Sequence, residues 1–162
     1  MLTTTEHIKQ VRSIASNISE SRLSPYIKEV EDFYIMPAIG AELYEKLDKQ
    51  EANDDILLDG GYYDNSDGSR GFCHGIYTAV AYFAYAKILL NNQINVTAFG
   101  VTQKSSTLST PTSDATIKDT AAEAKKMGHM YLDSCIAYLN AKRECKCGDC
   151  KRKHFINMEV LK

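Results

Sequence analysis

The sequence predicts an all-α fold: a small helical bundle of four to five helices, with a long extended arm and an extended C-terminal tail. Two observations carry this. Apolar residues recur at three- and four-residue steps over four separate segments, the spacing that lines one face of a helix. Between them the periodicity fails in two places, residues 51–71 and 95–113, where turn-forming or Ser/Thr-rich composition takes over.

The first helix is expected from Thr5 to Ile18, with Ile8, Val11, Ala15 and Ile18 on one face. Ser24-Pro25 reads as an N-cap followed by Pro at the first helical position. The helix that follows carries Ile27, Val30 and Tyr34 on its apolar stripe. Glu29, Glu31 and Asp32 lie in its first half, where the helix dipole favours negative charge. Pro37 is expected to stop it, because Met36 is pushed out of the α region. A third helix begins at Pro37, with Ile39, Leu43 and Leu47 inward.

Asp59-Gly60-Gly61 and Asp64-Asn65-Ser66-Asp67-Gly68 are turn chemistry, so a surface loop is expected there, with a short helical turn at Ile56–Leu58. Its acidic residues lack the spacing and the terminal Glu of a calcium loop. The segment from Phe72 to Asn91 is apolar nearly all round, which places it at the centre of the bundle. Val96 to Gln103 alternates and is rich in β-branched residues, so it reads as extended. Lys104 to Ser113 has little to bury and reads as an arm or a plain linker. The last helix, from Asp114 to Lys142, carries the stripe Ile117, Ala121, Ala124, Gly128, Tyr131, Cys135 and Tyr138, and Gly128 predicts close packing against a neighbour. These elements form one helical domain, residues 1–142, with its arm at 95–113. A Cys-rich basic tail, residues 143–162, follows.

The formal net charge is −2, with 44% hydrophobic and 25% charged residues. That balance predicts a folded core with no global attraction to nucleic acid or membrane. Five cysteines, an odd number, argue against a secreted disulfide framework and for a reducing compartment. The N-terminal residues lack the pattern of a signal peptide, and the longest apolar run, Ala79 to Ala86, is too short to span a bilayer.

No nucleophile elbow, phosphate-binding loop or dinucleotide fingerprint is present, so the chain is read as non-enzymatic, with no catalytic or cofactor-binding residues. His7 is expected on an exposed helix face and His129 beside the core stripe. Cys73 and His74 are adjacent, and adjacent helical side chains diverge. One cluster has ligand chemistry. Cys145, Cys147, Cys150 and His154 form C-x-C-x2-C-x3-H, four groups that zinc prefers and that would close a tetrahedral structural site. The pattern resembles a zinc knuckle with a shortened second spacer; the alternative is a basic tail with incidental free thiols. The segment 142–154 holds six basic and two acidic residues, net +4, which leaves −6 on the rest of the chain. Such a tail suits an acidic partner or nucleic acid. Beyond it, Phe155, Ile156, Met158 and Val160 belong to an alternating run that reads as a strand or docking peptide.

Four stretches together resemble the head–tail connector (adaptor, or ring) proteins of tailed phages, with the nearest likeness to those of crAss-like phages of gut bacteria. They are Glu29-Val30-Glu31-Asp32-Phe33-Tyr34-Ile35-Met36-Pro37-Ala38-Ile39-Gly40 with Leu43-Tyr44-Glu45-Lys46-Leu47; Leu57-Leu58-Asp59-Gly60-Gly61-Tyr62-Tyr63; Ala81 to Lys87; and Leu89 to Lys104. The likeness spans roughly residues 5 to 140, and the Cys-rich tail departs from it. It implies a virion structural protein: a helical-bundle subunit of a ring, usually a dodecamer, docked on the portal protein beneath the capsid vertex. The ring would be assembled in the host cytoplasm, meet other tail or ring proteins, and extend a channel through which DNA passes without sequence recognition. In that setting Phe99, Val101, Lys104 and Pro111 of the arm, and Phe155, Ile156, Met158 and Val160 of the tail, are the expected interface residues. The competing reading is a zinc-stabilised nucleic-acid-binding regulatory protein, resting on the Cys/His tail and its charge.

Overall fold

The computed structural model describes residues 1–11, 19–91, 94–97, 100–103 and 113–146. Seven α segments and two hairpins follow in order. They are α1 (Thr5–Val11), α2 (Glu20–Val30), α3 (Met36–Ile39), α4 (Ala41–Asp48), α5 (Asp55–Leu58), the hairpin β1 (Gly61–Asp64) and β2 (Arg70–Cys73), α6 (Ile76–Asn91), the hairpin β3 (Ile94–Thr97) and β4 (Gly100–Gln103), and α7 (Asp114–Lys146). The fold is mostly helical but not purely all-α.

The helix predicted to start at Ser24-Pro25 begins a turn earlier, with Ser19 at the cap and Pro25 inside α2. Pro25 is exposed, so the carbonyl it leaves without an N–H partner faces water. The Ser24 hydroxyl, instead of capping, donates to the Glu20 carbonyl at 2.9 Å.

Pro37 does not stop the helix either. A wide π turn, Glu31–Ile35, joins α2 to α3, and the Met36 N–H donates five residues back to the Glu31 carbonyl. In a regular α-helix the Pro37 ring would clash with the carbonyl four residues earlier; the wider turn just before it supplies room. The body ends at Gly40, and α4 starts on the next residue.

The region expected as a loop holds the β1–β2 hairpin, paired Gly61↔Cys73 through Asp64↔Arg70. The acidic run is the turn of that hairpin: the Ser69 N–H donates to Asp67 Oδ1 at 2.8 Å, and the Asn65 N–H donates to the Ser69 carbonyl at 2.8 Å. The central helix therefore starts at Ile76, and Phe72, expected at the buried end of that helix, lies exposed on β2.

α6 is the hub. Ile76, Ala79, Val80, Ala81, Phe83, Ala84, Ala86 and Ile88 are buried on it, with α1, α2 and α7 packed around. Phe83 stacks on Tyr34 at 4.4 Å between centroids. On its other side lies Gly128 of α7, where a Cβ would stand 2.9 Å from the ring. A side chain there would hold the two helices apart, which is the close packing that glycine predicts. The stripe on α7 is buried at Ala121, Ala124, Cys135 and Tyr138, as its spacing requires.

Glu31 is the exception to the charge pattern. Expected on the dipole-favoured half of its helix, it is 1% exposed. Its carboxylate accepts from the Thr3 N–H at 2.6 Å, the Leu2 N–H at 3.1 Å and the Tyr44 hydroxyl at 2.7 Å. These bonds offset the cost of burying it and dock the N-terminal residues onto α4 and the π turn.

Candidate functional site

Two surfaces among the described residues stand out as candidates for contact. The first is the β3–β4 hairpin, between α6 and α7. Its register runs Ile94↔Gln103, Asn95↔Thr102, Val96↔Val101 and Thr97↔Gly100. The extended character expected over residues 96–103 is thus a two-stranded antiparallel ribbon. Among the described residues each strand pairs only with the other, so both outer edges carry unpaired backbone groups. A lone two-stranded ribbon is marginal in water and is a ready template for another chain. At its root, α6 and α7 enclose a groove of about 450 Å³, floored by Phe83, Ala86, Leu90 and Ala121, with Lys118 and Lys125 at its rim.

The second is an aromatic ladder that the sequence did not reveal. Tyr62 on β1 is 64% exposed and Phe72 on β2 is 43% exposed. Their rings meet edge-on at 4.8 Å, and the Arg70 guanidinium lies 5.0 Å over Tyr62. The row continues through His74 to Tyr131 and Tyr82, each 4.8–5.0 Å from the next ring. Alternating strand residues put Tyr62 and Phe72, directly paired in the register, on the same face. The signal for this ribbon was weak: Tyr62-Tyr63 and Phe72-Cys73 bracket an Asp/Asn/Gly turn, but each strand is only four residues long.

His74 and Ser134 meet in this region. The His74 backbone N–H donates to Ser134 Oγ at 3.1 Å, and the imidazole Nδ1 lies 3.2 Å from the same oxygen. The Ser134 hydroxyl itself donates to the Tyr131 carbonyl at 2.7 Å, so its proton is committed to the helix backbone. The pair ties the chain after β2 to α7.

Asp54, another residue with no sequence signal, caps α5 by accepting from the Leu57 N–H, and reaches α7. It accepts from the Tyr138 hydroxyl at 2.8 Å and from Lys142 Nζ at 2.6 Å. That carboxylate holds the Lys142 ammonium above its ordinary range, and the Tyr138 hydroxyl is also raised, by burial first and by Asp54 second.

The histidines divide. His7, expected on an open face, is half-buried and stacks on Tyr77 at 3.8 Å. His129 is exposed, with its ring edge 4.9 Å from Phe83. Cys73 and Cys135 are both fully buried, with their sulfurs 3.6 Å apart.

Of the residues expected to bind partners or metal, Val101 lies on β4 opposite Val96. Cys145 falls on the last turn of α7, which runs on to Lys146 rather than ending at Lys142. Phe99, Lys104, Pro111, Cys147, Cys150, His154, Phe155, Ile156, Met158 and Val160 lie outside the described residues. Among the described residues no three His, Cys, Asp or Glu side chains converge as metal ligands, and no helix is long and apolar enough to cross a membrane.

No curated protein and no solved structure matches the chain. Residues 35–152, from the end of the π turn through both hairpins and α7 into the Cys-rich tail, match the profile of a family of unknown function, DUF6712, and the chain belongs to that family.

Proposed function

We propose that this protein is a structural virion subunit of a head–tail connector ring, docked on a portal protein and extending its DNA channel. The observation that carries the reading is the β3–β4 ribbon, a two-stranded hairpin set between the two longest helices with both edges unpaired among the described residues. A subunit that must grip a neighbour through extended chain needs such an element. The resemblance noted in the sequence supports the same reading. Its stretches fall on the π turn with α3 and α4, on α5 with β1, and on α6 running into the ribbon. In the ring each subunit presents one face to the next, a heterologous contact that closes by rotation. The −6 charge outside the basic segment suits a channel along which DNA slides without being gripped.

The test is assembly. Native mass measurement of the purified chain, alone and with its portal protein, is expected to show a closed ring, with twelve copies implied by the resemblance. Deleting residues 105–112 should leave the monomer folded and weaken the ring. A chain that stays monomeric with the portal, or a deletion variant that enters virions as well as wild type, removes this reading.

A second reading rests on the net +4 of residues 142–154: a zinc-stabilised regulator that binds nucleic acid. Cys145, Cys147, Cys150 and His154 would hold the metal, and the ordered turn would aim Phe155, Ile156, Met158 and Val160 at a partner. Metal analysis of protein purified without chelator tests the site. Less than about half an equivalent of zinc per chain, with all tail thiols reactive, would remove the metal. Tight DNA binding by the isolated chain, falling steeply with salt, would favour the regulator over the ring.

A further inference from the structure

We propose that Cys73 and Cys135 are a redox-active dithiol, which peroxide converts to a disulfide that staples β2 to α7. The inference is independent of the ring reading. Cys73 is the last residue of β2, and Cys135 lies mid-way along α7, 62 positions later. Both are 0% exposed, and their sulfurs stand 3.6 Å apart. The next residues are also joined across the same junction, since the His74 N–H donates to Ser134 Oγ. Two consecutive cross-links, 73 to 135 and 74 to 134, fix the thiols face to face. The sulfurs need only close from 3.6 Å to a bond of about 2 Å.

The two thiols are not equivalent. The Cys73 thiolate is stabilised by a hydrogen bond from the Cys135 thiol and by the Gly75 backbone N–H, against the cost of burial, so its proton leaves first. Cys135 is pushed the other way, by that same shared hydrogen bond and then by burial, and keeps its proton. This asymmetry gives one nucleophile and one resolving group. The Cys73 thiolate attacks one peroxide oxygen and breaks the O–O bond. Hydroxide leaves, takes up the Cys73 proton as water, and a sulfenic acid remains. The Cys135 sulfur then attacks the Cys73 sulfur; the S–S bond forms, the S–O bond breaks, and the departing hydroxide leaves with the Cys135 proton as a second water. Two thiols lose two electrons and one peroxide gains them. Hydrogen peroxide suits the site because the thiols are enclosed and a bulky disulfide oxidant is not small enough to enter.

The test uses the full chain with Cys145, Cys147 and Cys150 changed to Ser, so that only the buried pair remains. After native peroxide treatment, alkylation in denaturant should find no free thiol, and the intact mass should fall by two hydrogens. Non-reducing tryptic digestion should join peptide 71–87 to peptide 127–142. A dithiol reductant added in denaturant should reverse both changes. The oxidised chain should melt about 10 °C higher than the reduced one, because the cross-link closes a long loop. In a Cys135→Ser variant the reaction should stop at a Cys73 sulfenic acid, trapped by dimedone. Free thiols that persist at a peroxide dose that fully oxidises glutathione, a cross-link that forms only in denaturant, or over-oxidation of one sulfur without a cross-link would each overturn the proposal. If Cys135→Ser does not fold, the peptide map alone decides.

Discussion

Glu31 accepts three hydrogen bonds while almost wholly shut off from solvent, so its removal strands donors rather than simply deleting a contact. Glu31→Ala is expected to cost about 3 kcal/mol, read as a shift in the urea midpoint, and to speed hydrogen exchange over residues 2–8. Tyr44→Phe removes one donor and leaves the carboxylate two others, so about 1 kcal/mol is expected. Tyr44 also sets an alkaline limit. Its hydroxyl is held protonated well above its ordinary range, by burial first and then by the Glu31 carboxylate it donates to. The folded chain binds that proton more tightly than the unfolded chain does. Its stabilisation is therefore complete below about pH 10, the unfolded value, and is lost as pH climbs through the folded one. Unfolding midpoints should fall from about pH 10 upward, and less steeply in Tyr44→Phe. Gly128 works by absence. Gly128→Ala gains about 1 kcal/mol of helix propensity but drives a Cβ to 2.9 Å from the Phe83 ring. Overpacking costs about 1–3 kcal/mol, so a net loss in thermal stability is expected, and a smaller one when Phe83→Leu is present.

At the level of elements, α5 is a single turn of helix, and what holds it is Asp54, which both caps it and bonds Tyr138 and Lys142 of α7. Asp54→Ala should cost about 2 kcal/mol in chemical unfolding, towards the upper end for a cap because the contact to α7 goes with it. Lys142→Met, which removes an exposed partner only, should cost under 1 kcal/mol. The long elements were legible because burial there follows period: α6 is apolar all round and α7 carries a stripe, and both are helices of the expected character. The β1–β2 hairpin was not. Its strands are four residues long and share their composition with turns, so Gly61, Asp64 and Gly71 hid the alternation of Tyr63 and Cys73. Glu31 and Asp54 were equally invisible, because a carboxylate in sequence reads as solvated and only the fold brings donors to it. Of the candidate contact residues, the sequence pointed to extended chain after α6, and Val101 is found there on β4; the aromatic ladder needed the fold to assemble it from β1, β2, α6 and α7.

The molecule as a whole is organised round α6, with Phe83 gripped between Tyr34 and Gly128. Phe83→Ala is expected to cost about 3–5 kcal/mol, enough to unfold a marginal domain at ordinary temperature, and circular dichroism against urea would measure it. The same packing determines how the chain from Glu20 to Ile39 reaches the core. Val30 and Ile35 are both fully buried, although they stand five residues apart. In an unbroken α-helix, at about 100° per residue, such a pair would point about 140° apart. The π turn takes up that difference, and the surplus residue surfaces as Phe33, 72% exposed. This helical body therefore stores one count of length that its core does not use. Losing Phe33 altogether would bring Val30 and Ile35 to a four-residue step and keep both faces inward, but it would also close the wide turn that makes room for the Pro37 ring. Losing any one residue of α2 before the wide turn would instead swing one flank away from the core by about 100°. The five residues of the wide turn thus carry both the surplus count of length and the room for Pro37, at the point where Glu31 binds the N-terminal residues.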